Sequence, residues 1–280
     1  MKTRIITAII GLVIFVPVVI FSGTVVFPIF IALASIVAVF EMLKCMRLQR
    51  NVPALVSAEV YAILVCSFSR FGNNRLATFI IISSAYIAFN FIFAMFSGGK
   101  YKLKDVQAAT ISVVSIMFAF ATMIFIRDLP YGKYAIYLVF IGSWVADSGA
   151  YFVGTYFGKH KLCPTISPKK TWEGVFGGLF FCLLLFLIYG DLVSILAKDY
   201  HSNLWLLMIC GLILSVMSVF GDLVASFIKR NYNIKDYGFI LPGHGGIIDR
   251  CDSTFAVSVT LWAFCMIFEN YPLFIANTVA

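Results

Sequence analysis

Apolar stretches of about 20 residues recur along the whole chain, and nothing else in the sequence restricts the fold so strongly. Each is long enough to cross a hydrocarbon core of roughly 30 Å. Inside lipid the backbone must satisfy its own hydrogen bonds, which leaves helices or a closed barrel. The period-2 alternation of barrel strands is missing, so the spans are read as helices. Nine are predicted: Arg4–Phe21, Val25–Leu43, Val52–Phe68, Leu76–Phe96, Val106–Ile126, Tyr134–Phe152, Thr171–Tyr189, Leu204–Ile228 and Thr254–Phe268. Only 12% of the residues are charged, against roughly 25% in a soluble chain, and a water-soluble core could not hide so much apolar surface. The expected fold is an all-α polytopic membrane protein of nine spans with a polar site at the cytoplasmic face. Residues 1–130 form five amino-terminal spans, and residues 131–280 form a catalytic region of four spans and two basic cytoplasmic loops.

The net charge of +8 is unevenly distributed. With alternating spans, sixteen of the 21 Lys and Arg residues fall on the amino-terminal side. The other five are Arg70, Arg75, Arg127, Lys133 and Lys198. The positive-inside rule then puts the amino terminus and both long basic loops in the cytoplasm. Lys2 and Arg4 followed by an apolar run resemble a signal peptide, but no small-residue cleavage site follows and the segment is read as a retained helix. Seven scattered cysteines without a C-x-x-C pair give no reason to expect a disulfide or zinc site. No segment suggests nucleic-acid binding.

Intramembrane carboxylates are costly and usually functional. Asp147 lies in the sixth span and Asp222 in the eighth, each placed one to two turns from the cytoplasmic end, with no basic residue within four positions. An i,i+4 ion pair is therefore not available to either. Ser215, Ser218, Asp222, Ser226 and Lys229 form a stripe at helical spacing, as do Ser143, Asp147 and Tyr151. Such stripes face a cavity or another helix; for the serines alone, interhelical hydrogen bonding explains them equally well.

Two loops add charge. Lys229–Ser253 contains Lys229, Arg230, Lys235, Arg250, Asp236, Asp249 and Asp252, with Gly238, Pro242, Gly243, His244, Gly245 and Gly246. Glycine-rich backbone can form an anion nest, cations can bind phosphates, and carboxylates can hold the divalent metal that accompanies a nucleoside triphosphate. The alternative is a charge-balanced membrane turn. In the loop before the seventh span, Ser167 and Pro168 predict an N-cap and first helical position. Lys169 and Lys170 would then sit in a first helical turn, where a bound phosphate would offset their conflict with the macrodipole. They can also be read as topology signals, and Glu173 as a residue that balances the dipole.

Ser226–Asp252 closely resembles the signature of phosphatidate cytidylyltransferases. The matching residues are Ser226, Ile228, Lys229, Arg230, Lys235, Asp236, Gly238, Leu241, Pro242, His244, Gly245, Gly246, Ile247, Asp249, Arg250 and Asp252. Cys251 departs from the pattern, standing where the family usually has an aliphatic residue, Phe or Thr. ADSGAY, SPKKTWEG and GDL also look like family elements, so the resemblance covers about residues 134–255, while the first five spans are only generically similar. It implies transfer of the cytidylyl group of CTP to phosphatidic acid, giving CDP-diacylglycerol and pyrophosphate. It further implies Asp222 and Asp249 as Mg2+ ligands, with a monovalent cation as an optional companion. Asp147 would be a further carboxylate of the site. Lys229, Arg230, Lys235, Lys169 and Lys170 would hold phosphates, while His244 and the Gly245–Gly246 backbone would shape the nucleotide loop. Asp236 and Arg250 join the catalytic set; Ser226 and Asp252 join the substrate contacts. The implied partners are CTP, phosphatidic acid and the bilayer, with no nucleic acid and with a homodimer allowed; the implied location is a bacterial cytoplasmic membrane. A secondary transporter is the main rival, though paired halves and midplane charges are missing. A CDP-alcohol phosphotransferase would carry D-G-x-x-A-R, which does not occur, and a polyprenol kinase is the other neighbouring reading.

Overall fold

The computed structural model describes residues 2–69, 74–197 and 199–277; Arg70 and Lys198 of the charge tally lie outside the described residues. Among the described residues there are nine helices, one for each predicted stretch: α1 (Lys2–Ile20), α2 (Val26–Cys45), α3 (Val52–Phe68), α4 (Arg75–Phe96), α5 (Leu103–Arg127), α6 (Gly132–Phe157), α7 (Trp172–Leu196), α8 (Leu204–Asn231) and α9 (Ile248–Ile267). Six of them, α2 and α4–α8, are long and apolar enough to cross a membrane, and the chain is an integral membrane protein. Outward-facing residues such as Phe96, Phe176 and Ile195 are exposed, as a lipid-facing surface requires. The apolar parts of α1 and α3 are shorter, and α9 opens on Asp249, Arg250 and Asp252.

Helix starts follow local chemistry. Asn51 caps α3 by accepting from the Ala54 amide at 3.4 Å, and Asn74 caps α4 by accepting from the Ala77 amide at 3.0 Å. The α1–α2 connection is the expected tight turn, closed by the Thr24 amide donating to the Phe21 carbonyl at 3.0 Å.

Two compact units emerge, 1–125 with 229–251, and 126–228 with 252–280. The first holds α1–α4, most of α5 and the glycine-rich segment. In it α3 packs on α2 and α4, with Tyr61 and Tyr86 stacked at 4.5 Å and the Tyr61 hydroxyl 2.7 Å from that of Ser83.

In the second unit the closest packing joins the second half of α6 to α7. Its cause is a run of small residues. A Cβ at Gly177 would lie 2.4 Å from Val153, and one at Gly178 would lie 2.6 Å from the Ala146 carbonyl, so only glycine permits this approach. A π-helical turn, Ile141–Val145, interrupts α6 immediately before Asp147. Two short antiparallel pairs complete the unit: β1 (Lys161–Cys163) with β2 (Ser167–Thr171), and β3 (Tyr200–Ser202) with β4 (Phe274–Ala276).

Three expectations are corrected. Ser167 is not an N-cap, and Lys169 and Lys170 do not begin a helix; they lie in β2. A residue before proline is driven to extended backbone, and the cap falls to Thr171, whose hydroxyl accepts from the Gly174 amide at 3.2 Å. The segment Lys229–Ser253 is not all loop, because α8 continues to Asn231 and α9 begins at Ile248. Lys229 and Arg230 suit the carboxyl end of one helix dipole and Asp249 the amino end of the other. Since α6 and α8 run beyond their predicted ends, Asp147 and Asp222 stand ten and nine residues from those ends, not one or two turns.

Candidate active site

In the second unit, Asp147 accepts from the Ser218 hydroxyl at 3.2 Å and the Ser253 hydroxyl at 2.7 Å. The π turn serves the same cluster. Ser143 within it is fully buried, its carbonyl accepts from Ser218 at 3.4 Å and its hydroxyl from Thr254 at 3.2 Å. The serine stripe on α8 therefore points inward as predicted. Tyr151 does not join its own stripe; it is 67% exposed.

One turn beyond Ser218, Asp222 accepts from the Ser226 hydroxyl at 3.2 Å and pairs with Lys170 at 2.6 Å. The missing local partner is thus supplied by β2. Both side chains stay partly exposed, at 21% for Lys170 and 28% for Asp222. The hairpin that carries Lys170 is anchored by Glu173, which takes the amides of Lys159 and His160 at 3.1 and 3.2 Å and the His160 ring nitrogen at 2.6 Å. Lys169, by contrast, is exposed.

In the first unit, Asp249 is nearly sealed. Its Oδ1 lies 2.9 Å from the Lys229 ammonium, and its Oδ2 accepts from the amides of Tyr237 at 2.8 Å and Gly246 at 3.0 Å. Lys229 also stands 5.5 Å from the centre of the Tyr237 ring, a cation–π contact. Between those two amides the chain makes a tight turn in which Leu241 and Gly245 pair and the His244 amide donates to the Leu241 carbonyl at 2.8 Å. Gly243 and Gly245 have φ of 79° and 82°, values that favour glycine. The buried Nδ1 of His244 has no hydrogen-bond partner. A cavity of about 290 Å³ beside the turn is lined by Lys44, Lys235, Asp236 and Tyr237, among others.

Of the sequence-predicted residues, Asp147, Lys170, Asp222 and Ser226 come together in the second unit, as do Lys229, Asp249, Gly245 and Gly246 in the first. Arg230 is exposed and reaches the Ile234 carbonyl at 3.3 Å; Lys235 and Arg250 are exposed. Asp252, half-buried, accepts from the Ser253 amide at 2.8 Å. Sequence reasoning missed Glu41, which takes the amides of Ile247 and Ile248, each at 3.1 Å. A carboxylate within LASIVAVFEMLKC was the available signal.

Either carboxylate could accept a hard cation. Asp222 has one donor on each oxygen and an exposed edge, and Asp249 has one donor on Oδ1 and two on Oδ2. With about four lone-pair sites per carboxylate, both retain acceptor capacity. Mg2+ is commonly held by one or two carboxylates together with substrate phosphates.

A many-helix membrane protein whose apolar helices carry carboxylates matched to lysines is the class these features define. The chain belongs to the cytidylyltransferase family, whose model matches residues 2–268. Its relatives include the phosphatidate cytidylyltransferases of Staphylococcus haemolyticus (strain JCSC1435), Staphylococcus epidermidis (strain ATCC 12228 / FDA PCI 1200) and Staphylococcus aureus (strain COL). Each is 36% identical over 257 residues, covering 90% of this chain and 94% of the relative.

Proposed function

We infer that this protein transfers the cytidylyl group of CTP to phosphatidic acid, giving CDP-diacylglycerol and pyrophosphate for phospholipid synthesis. One observation carries the reading: the family relationship covers residues 2–268, nearly the whole chain.

A phosphate oxygen of phosphatidic acid attacks the α-phosphorus of CTP. The new P–O bond forms as the bond to the bridging oxygen of the β-phosphate breaks, and pyrophosphate leaves with that electron pair. A phosphomonoester has its second pKa near 6, so the nucleophile is largely ionised at about pH 7 and no general base is needed. Positioning and charge neutralisation remain for the protein to supply. Asp222 in the second unit and Asp249 in the first are the carboxylates that the family resemblance names for Mg2+, and each by itself has the acceptor capacity to hold it; the metal would offset charge on the transferring and leaving phosphates. A monovalent cation alongside it stays part of the reading. Lys170 and Lys229 stand beside those carboxylates, and the exposed Lys169, Arg230, Lys235 and Arg250 would contact phosphate oxygens. Asp147 holds the serines of α8 and α9 in place. Ser226 and Asp252 complete the substrate contacts, Asp236 belongs with the catalytic set, and the Gly245–Gly246 backbone with His244 shapes the nucleotide loop.

The same reading gives nine membrane crossings in a bacterial cytoplasmic membrane, with the amino terminus, the polar site and both basic loops on the cytoplasmic side. The test is pyrophosphate release by purified protein in lipid–detergent micelles. Release should require CTP and phosphatidic acid together; release with either one omitted, or none with both present, sinks the assignment.

A further inference from the structure

We propose that Glu41 is a positioning residue for the transfer, acting through the backbone of residues 246–248 on the Asp249–Lys229 pair; this rests on the cytidylyltransferase reading above. Glu41 sits near the end of α2 among Val39, Phe40, Met42 and Leu43 and is only 3% exposed. A buried carboxylate is costly unless hydrogen-bonded, and an aliphatic side chain would fill the same helix position more cheaply. Among the described residues its oxygens accept backbone N–H groups, those of Ile247 and Ile248. Asp249 takes the preceding amide, Gly246, so three consecutive N–H groups at the start of α9 are divided between two carboxylates.

The glycines explain why the fit is tight. A Cβ at Gly238 would meet the Glu41 carboxylate at 2.1 Å, and one at Gly246 would meet it at 2.2 Å. Gly238 and Gly246 are the two ends of the turn that carries His244 and Gly245. Asp249 grips the same two ends, through the amides of Tyr237 and Gly246. Glu41 and Asp249 therefore close the neck of this turn together, and Asp249 owes its orientation, and that of Lys229, to a peptide that Glu41 holds.

The experiment compares Glu41→Ala, Glu41→Gln, Gly238→Ala and the double variant Gly238→Ala/Glu41→Ala in lipid–detergent micelles. It reads kcat and KM, the thermal midpoint, and amide exchange across residues 237–249. Glu41→Ala is expected to lower kcat by about 10-fold or more, on the scale of lost hydrogen bonds to a charged group, with KM for phosphatidic acid unchanged. Exchange at 246–248 should quicken by a similar factor while that of α3 and α4 stays constant. Glu41→Gln, which keeps the size and one acceptor, should fall between wild type and Glu41→Ala. Gly238→Ala should reproduce the Glu41→Ala defect, because its methyl displaces the carboxylate, and the double variant should be no worse than Glu41→Ala alone. Additive losses, unchanged exchange at 246–248, or exchange quickened throughout the protein would each overturn the proposal. Should Glu41→Ala fail to fold, Glu41→Gln and Gly238→Ala still decide it. Wild-type protein without CTP- and phosphatidate-dependent pyrophosphate release would defeat the cytidylyltransferase reading, while the exchange data would still report the hold of Glu41 on the turn.

Discussion

The Lys170 ammonium lies 2.6 Å from Oδ2 of Asp222, although one residue belongs to a short hairpin strand and the other to a 28-residue apolar helix. The pair is neither local nor fully buried. A part-exposed ion pair contributes only about 0–1 kcal/mol to stability, so its presence is better explained by what it offers an anionic substrate than by folding.

Lys170→Met should accordingly leave the thermal midpoint almost unchanged while lowering kcat/KM for CTP by about 10-fold or more, the scale of one charge-assisted hydrogen bond. Steady-state kinetics on the purified variant check this. Wild-type kcat/KM would remove Lys170 from the substrate contacts.

Asp222→Asn and Asp249→Asn should each reduce pyrophosphate release by at least about 100-fold at saturating Mg2+, the scale of one lost transition-state contact. Their stabilities should differ. Asp222→Asn leaves a partly solvated lysine behind, whereas Asp249→Asn strands Lys229, which is 11% exposed, and should cost about 3 kcal/mol. Near-wild-type turnover in either variant excludes that residue from the reaction.

Gly178→Leu should destabilise the second unit by about 1–3 kcal/mol or more, as overpacking does, because its Cβ alone would come within 2.6 Å of the Ala146 carbonyl. Activity should fall with it, since Ala146 adjoins Asp147. A thermal midpoint equal to wild type would show that α6 and α7 separate more easily than their glycines imply.

Cysteines placed at Lys102 and Lys161 should react with an impermeant thiol reagent only from the cytoplasmic side, and one at His201 only from the opposite side, in a background whose native cysteines are replaced. Labelling at Lys161 from outside would reverse the orientation and the route of CTP.

Every helix was legible in the sequence, because spans of Val, Leu, Ile and Phe this long admit few other structures. The inward stripe of Ser215, Ser218, Asp222 and Ser226 was legible for the same reason, through its spacing. What stayed hidden depends on contacts between distant segments. The Lys170–Asp222 pair needs the β1–β2 hairpin, and Ser167–Pro168 reads equally as a helix start until Thr171 is seen to cap α7. The family resemblance implies phosphate contacts for Lys229, and only the fold shows that it also pairs with a carboxylate twenty residues away. Glu41 lies near a span end, where a charge needs no special explanation, and its partners stand more than two hundred positions away.

The π turn at Ile141–Val145 has a bearing on how the gene can vary. A π turn closes its hydrogen bond one residue later than an α turn and so takes up one extra residue within the helix. Losing one residue from it would leave an ordinary α turn, with Asp147 still facing Ser218 and Ser253 and Gly149 still facing α7. The same loss between Asp147 and Gly149, where the helix advances by about 100° per residue, would turn everything after it by roughly a quarter of a circle. Chain length should therefore be freer to drift by one codon between Phe140 and Ala146 than anywhere else along α6.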